Sequence, residues 1–219
     1  MSDARWTEVD AYFTGRLGAD DAALEAALAA SDAAGLPKIA VSAAHGKWLS
    51  LMAQAIGARR ILEVGTLGGY SAIWLARAVG PGGKVVTLEI DPKHAQVAAD
   101  SIAKAGLADR VDIRVGPAIN SLPQLASEPA FDFSFIDADK ESNADYFAWA
   151  LKLSRPGALI IVDNVVREGK VVEPGSSSQV DGVRRMIDLI ANEPRVSATV
   201  VQTVGVKKYD GMLVARVTT

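Results

Sequence analysis

Two stretches of the chain each join an apolar run to a terminal acid. Residues 131–140 read FDFSFIDADK and residues 157–164 read GALIIVDN. Runs of this length bounded by polar residues read as strands buried on both faces of a parallel sheet. Ligands of such sheets bind outside the carboxyl ends of the strands. Asp137, Asp139, Asp163 and Asn164 are therefore expected at one rim, with Lys140 beside them. Several hard oxygens would meet there around one small cation. All-oxygen ligation suits magnesium, manganese or calcium better than zinc. Taken alone, Lys140 reads equally well as a surface lysine balancing the acids.

A second constellation lies upstream. The strand-like ARRILEVG runs into TLGGYSAIWLARAVG, so Gly65, Gly68 and Gly69 fall between a strand and a helix. A glycine-rich turn lets a ligand approach the backbone and exposes the amides at a helix N-terminus. The spacing is G-x-x-G-G, not the dinucleotide fingerprint G-x-G-x-x-G, which argues against a nicotinamide cofactor. The next strand, KVVTLEID, ends in Glu89, about 24 residues beyond Gly65. An acid there commonly accepts both hydroxyls of a ribose. Alone, Glu89 is an exposed terminal acid; behind the glycine turn, the ribose reading wins.

The elements that must position these residues follow from pattern and composition. A chain of 219 residues without a sharp shift of composition reads as one α/β domain over 1–219, with 1–37 as a helical N-terminal extension. The extension reads as two helices outside the sheet. Tyr12, Phe13 and Leu17 are expected to pack on the sheet, with a subunit contact or a lid as the sharper alternative. Val41, Ala44, Trp48, Leu49, Leu51, Met52 and Ala55 form a helical stripe between 41 and 56, with Gly57 as its cap. Pro92 opens a helix that runs to Ala105 and stops at Gly106. VDIRVG is a third strand, residues 117–125 a short helix, and SNADYFAWALKLS the helix between the two acid-ended strands, with RPG as a turn. Residues 168–178 read as a surface loop, and 181–192 as a helix with Val183, Met186, Ile187 and Ile190 inward. VSATVVQT and MLVARV are the final strands, and their short link KKYDG suits an antiparallel pair.

Composition excludes several classes of function. A net charge of −3 and a pI of about 5.4 provide no strong field for polyanions, so nucleic acid is not expected as a partner. The lack of cysteine removes disulfides, thiolate zinc sites and cysteine nucleophiles, and it fits a cytoplasmic setting. MSDARWTEVDAYF lacks the layout of a signal peptide, and no run approaches the ~20 apolar residues of a membrane helix, so neither export nor a membrane is expected.

ILEVGTLGGYSAIWLA, VTLEIDP, AGLADRV, VGPA, FDFSFIDADK, VDN and YDGMLVARV, in this order, resemble the cation-dependent O-methyltransferases of the caffeoyl-CoA and catechol type, which use S-adenosylmethionine. The likeness runs from about residue 37 to the end. The pairing of DADK with DN about 26 residues later is its most specific part. The resemblance implies a Rossmann-like, seven-stranded, mostly parallel sheet with the last strand antiparallel, helices on both faces, and a homodimer. It implies that Asp137, Asp163 and Asn164 hold the metal and that Lys140 is the catalytic base, with Asp137 also counted among the catalytic and cofactor residues. It assigns Glu63, Gly65, Gly69, Tyr70 and Ser71 to the cofactor turn and Glu89 to the ribose. Val41 and Ala118 border the methionine part and the adenine. Asp139 stands where the animal catechol enzymes carry an aromatic wall, so the acceptor pocket is closer to the caffeoyl-CoA and bacterial branch. Gly68 replaces a larger residue of the turn.

The implied chemistry is physically coherent. A phenol of pKa about 10 is protonated at neutral pH, and a divalent cation on two adjacent hydroxyls favours the phenolate. Lys140, beside the cation and a sulfonium, is expected to have a lowered pKa and to take the remaining proton. Two alternatives stay open: the same catalyst acting on a modified nucleoside hydroxyl in RNA, and a nucleotide-binding protein without activity.

Overall fold

The computed structural model describes residues 3–18, 21–175 and 177–219. Its centre is one seven-stranded sheet. The strands are β1 (Arg60–Val64), β2 (Lys84–Glu89), β3 (Val111–Val115), β4 (Phe131–Ile136), β5 (Ser154–Val162), β6 (Val196–Gly205) and β7 (Lys208–Val217), in the order β3-β2-β1-β4-β5-β7-β6. The first five run parallel, and β7 lies antiparallel between β5 and β6. Helices α1 (Asp3–Leu17), α2 (Ala22–Ala33), α3 (Ala43–Ala55), α4 (Tyr70–Val79), α5 (Pro92–Lys104), α6 (Ala118–Ser121), α7 (Asn143–Leu153) and α8 (Ser178–Ala191) surround it. Among the described residues no helix is long and apolar enough to cross a membrane.

Alternation along each strand supplies two cores. Leu62, Val86 and Ile160 face α7 and α8, while Ile61, Val85 and Ile161 face α3, α4 and α5. Successive strand side chains point to opposite faces, so a strand covered by helices on both sides must be apolar throughout. β4 breaks the alternation once. Phe133 and Phe135 belong to the α4 side and Phe131 to the α7 side, and between Phe131 and Phe133 the pairing partner in β5 jumps from Ser154 to Leu159. All three rings are fully buried, and each contributes roughly 1.5–3 kcal/mol. That anchors the strand whose end carries Asp137.

The caps expected from sequence are present. Pro92 stands in the first turn of α5 behind Asp91, whose carboxylate accepts from Lys93 N at 2.7 Å, and Gly106 follows at φ +72°. Gly57 ends α3 at φ +63°. Five expectations change. α1 buries no residue, and Tyr12, Phe13 and Leu17 are 56%, 53% and 70% exposed, so they do not pack on the sheet. α3 buries Gly46, Leu49, Ser50 and Ala53, while Leu51 faces outward. Small residues line that face because α4 comes close: a Cβ on Gly46 would lie 2.3 Å from Trp74 Cδ1. Arg155, Pro156 and Gly157 open β5 and do not form a separate turn, and Lys208 to Gly211 lie inside β7, leaving a two-residue turn at 206–207. α8 starts at Ser178, and the preceding loop contains a 3-10 turn, Arg167–Val172.

Candidate active site

Four hydrogen bonds lock five strand ends side by side. Gly116 N donates to Glu89 O, Gly65 N to Leu88 O, Asp137 N to Val64 O and Asp163 N to Ile136 O, each at 2.8–2.9 Å. The ladder thus continues just beyond the strands and holds Glu89, Gly65, Asp137 and Asp163 along one rim. Above the rim lies a cavity of about 1160 Å³. Of the residues singled out from sequence, Val41, Gly65, Tyr70, Ser71, Glu89, Ala118, Asp137, Lys140, Asp163 and Asn164 line it.

Glu63 and Gly69 are not part of its wall. Glu63 is fully buried beneath the turn, where its Oε2 accepts from Thr87 Oγ1 at 2.6 Å, and Thr87 in turn contacts Thr66 Oγ1 at 2.5 Å. Burial, against the hydroxyl bonds, pushes the Glu63 carboxyl up to about 7. Gly69 opens α4 and packs on Ala98 of α5. The glycines of the turn answer first to the protein itself. A Cβ on Gly65, at φ +98°, would lie 2.1 Å from the Asp137 carbonyl, and one on Gly68 would lie 1.9 Å from Ser31 Oγ of α2. Ser31 therefore fills the space that a larger residue at 68 would take.

Glu89 is 6% exposed and already engaged. Its Oε2 accepts from Thr66 N at 3.1 Å and Leu67 N at 2.8 Å, and its Oε1 from Asp91 N at 3.0 Å. The carboxylate that faces the cavity thus also shapes the glycine turn. With two donors already on Oε2, it is Oε1 that retains acceptor capacity for a ligand hydroxyl.

At the other end, Lys140 Nζ donates to Asp137 Oδ1 at 2.7 Å, and both side chains are largely withdrawn from solvent. Asp163 Oδ1 accepts from Asn164 N at 2.8 Å, and Asn164 sits at φ +57°, a conformation that asparagine tolerates. Burial, then the Asp137 charge, holds the Asp163 carboxyl well above the usual carboxylate range, and Lys140 offsets only part of this. Two carboxylates sharing one lysine in a poorly solvated place can accommodate further positive charge. The donor set of Asp137, Asp163 and Asn164 therefore fits a hard divalent cation by chemistry. Among the described residues no cluster of three or more His, Cys, Asp or Glu side chains offers a metal site.

Sequence reasoning passed over several neighbours. The chain has only two histidines, and both line the cavity. His45, in the first turn of α3 behind its cap Ser42, has Nδ1 3.6 Å from Asp163 Oδ2, and burial lowers its pKa to about 4. His94 Nδ1 lies 3.6 Å from Glu89 Oε1. Tyr146 donates to Asp139 Oδ1 at 2.6 Å, and burial together with that bond raises the phenol pKa. The scarcity of histidine was the one available signal for the first two.

The O-methyltransferase family model matches residues 19–217. A catechol O-methyltransferase of Mycobacterium tuberculosis is 54% identical over 210 residues, covering 96% of this chain and 95% of that one. An O-methyltransferase from Bacillus cereus, solved in complex with S-adenosylhomocysteine, superposes with a TM-score of 0.96 at 54% identity, over 99% of this chain and all of that one (100%). TomG from Streptomyces achromogenes, solved with S-adenosylmethionine and involved in tomaymycin synthesis, gives 0.96 at 48% identity over 100% of both chains.

Proposed function

Because the chain belongs to the O-methyltransferase family and is an S-adenosylmethionine-dependent O-methyltransferase, we propose that it methylates a hydroxyl of a catechol-like small molecule with the help of a divalent cation. The observation that carries this reading is the meeting of Asp137, Lys140, Asp163 and Asn164 on one cavity with the glycine turn and Glu89. The relatives that bear the name catechol O-methyltransferase support the acceptor class.

Glu89 would take the ribose, with Gly65, Tyr70 and Ser71 around the methionine end and Ala118 toward the adenine. Asp137, Asp163 and Asn164 would hold magnesium, manganese or calcium through oxygen. When bound, adenosylmethionine supplies an electrophilic methyl and the cation supplies charge that favours an ionised acceptor oxygen. Lys140 Nζ would accept the acceptor's proton. In the structure it donates to Asp137 Oδ1, so that contact would have to open first. Val41, Trp48 and Met212 line the same cavity and would shield a bound acceptor from water. Alignment in a dry site supplies most of the remaining acceleration.

We further propose a cytoplasmic homodimer. The exposed apolar side chains Tyr12, Phe13 and Leu17 of α1 and Val200, Val201 and Val204 of β6 support a self-association face. Light scattering that gives the monomer mass at micromolar concentration would refute the dimer.

The central test is incubation with labelled adenosylmethionine and a panel of vicinal diphenols, with magnesium or with excess chelator. Methylated diphenol only in the magnesium arm is expected. Full turnover in metal-free, chelated enzyme would remove the cation, and a panel without any product would remove the acceptor class.

A further inference from the structure

Three cationic side chains, Arg167, Lys207 and Lys208, line the part of the cavity walled by the 164–169 segment and the β6–β7 turn. Among the described residues none of them pairs with a carboxylate. Arg167 Nη2 donates to the neutral Gln179 Oε1 at 2.5 Å, and Lys207 Nζ donates to the Lys38 carbonyl at 3.5 Å. The acids on the same wall are turned to donors of their own. Asp210 Oδ1 accepts from the amides of Val166, Arg167 and Gly211, Asp139 accepts from Tyr146, and Asp10 accepts from Val206 N.

Two of the three cations occupy unusual backbone. Arg167 has φ +56° and Lys208 has φ +71°, in the left-handed region that side-chain-bearing residues seldom adopt. Lys208 directly follows the turn at 206–207, a position that glycine normally takes. Glycine would serve the turn better, so the strain has to be set against something the lysine does. At about 1160 Å³ the cavity also exceeds the ~300–1,000 Å³ of an ordinary small-molecule pocket, which leaves room for a tailed acceptor beside the cofactor.

Resting on the methyl-acceptor reading above, we propose that the acceptor is a diphenol whose tail ends in a carboxylate, held by Arg167 and Lys208 with Lys207 beside them. The arginine fork matches a carboxylate in bidentate fashion, and the lysines add charge without fixed geometry. Asp10, Asp139 and Asp210 on the same wall keep the local field modest, which suits one carboxylate and opposes a polyphosphate tail.

The test compares catechol, caffeate, caffeate methyl ester and caffeoyl-CoA at saturating adenosylmethionine and magnesium. Caffeate is expected to exceed its ester in kcat/KM by about tenfold, the size of a charged hydrogen bond. Arg167→Ala and Lys208→Gly should each reduce that ratio through KM with kcat retained, the mark of binding that is equal in ground and transition states. Added salt should do the same. Lys208→Gly should leave the melting temperature level or higher, since the left-handed position favours glycine, so loss of the preference cannot be ascribed to unfolding. An ester used as well as the acid, a ratio unchanged in both variants, or a preference for the CoA thioester would overturn the proposal. Failure of catechol and every other diphenol would instead remove the reading on which it rests.

Discussion

Lys140 donates to Asp137 at 2.7 Å, so the residue proposed to receive the acceptor's proton is itself held by a candidate cation ligand. The pair is 7% and 23% exposed at its side chains, which keeps water from weakening it. Occupation of Asp137 and availability of Lys140 are therefore linked through a single carboxylate oxygen.

From this follows the behaviour of Lys140→Ala. If Lys140 is the base, kcat should fall by about 10²–10⁴ with little change in KM. The loss should shrink for diphenols of lower pKa, which need less help in ionising. Magnesium affinity should rise, because Asp137 and Asp163 lose their one nearby cation. Single-turnover rates across diphenols of graded acidity check the first point and calorimetry the last. A small loss that is independent of acceptor pKa would make Lys140 a charge-balancing residue only.

Asp163→Asn separates cation binding from folding. The native carboxyl is buried beside Asp137, and its removal should leave the metal-free protein at least as stable. In the native enzyme, magnesium at a hundred times Kd should stabilise by about 2.7 kcal/mol, or roughly 5–10 °C in a chain of this size. The variant should lose that rise together with turnover. Thermal scans with and without magnesium decide it, and an equal rise in both proteins would place the cation elsewhere.

For Glu89→Ala a double effect is expected. Three backbone amides lose their acceptor, and a ligand diol loses its partner. Adenosylmethionine binding should weaken by roughly 1.5–3 kcal/mol, and the melting temperature should fall as well. Unchanged affinity by calorimetry would move the ribose contact to another residue.

Glu63 supplies a pH signature. Its folded pKa of about 7 exceeds the ordinary 4.5, because burial disfavours the charge. Below the ordinary value both states are protonated and the group costs nothing. Between the two values the unfolded chain ionises and the folded one does not, so stability falls as pH rises and then levels off above about 7. The full loss is on the order of 3 kcal/mol. Glu63→Gln should remove it. Urea denaturation near pH 5 and near pH 8 should therefore show a difference between variant and wild type that grows at the higher pH. Parallel curves would mean that Glu63 is ionised in the fold.

Much of this was written in local sequence. A strand covered on both faces has to be apolar along its length, so 131–136 and 158–162 were recognisable, and the acids that follow them had to lie at one rim of a parallel sheet. Pro92, Gly57 and Gly106 marked helix ends because their backbone preferences are their own and need no neighbour. What a side chain touches across the fold has no such local signature. The small face of α3 exists because Trp74 approaches Gly46, and the β4–β5 pairing slips register between Phe131 and Phe133. Glu63 and Gly69 stand in the recognisable turn, yet they face Thr87 and Ala98, while His45 and His94 reach the cavity although sequence had assigned neither side chain a part in it. Sequence determined which residues end the strands, since that depends on chain direction and solvent alone. Only the tertiary structure decided which of them share a cavity, because that depends on the close approach of backbones far apart in the chain.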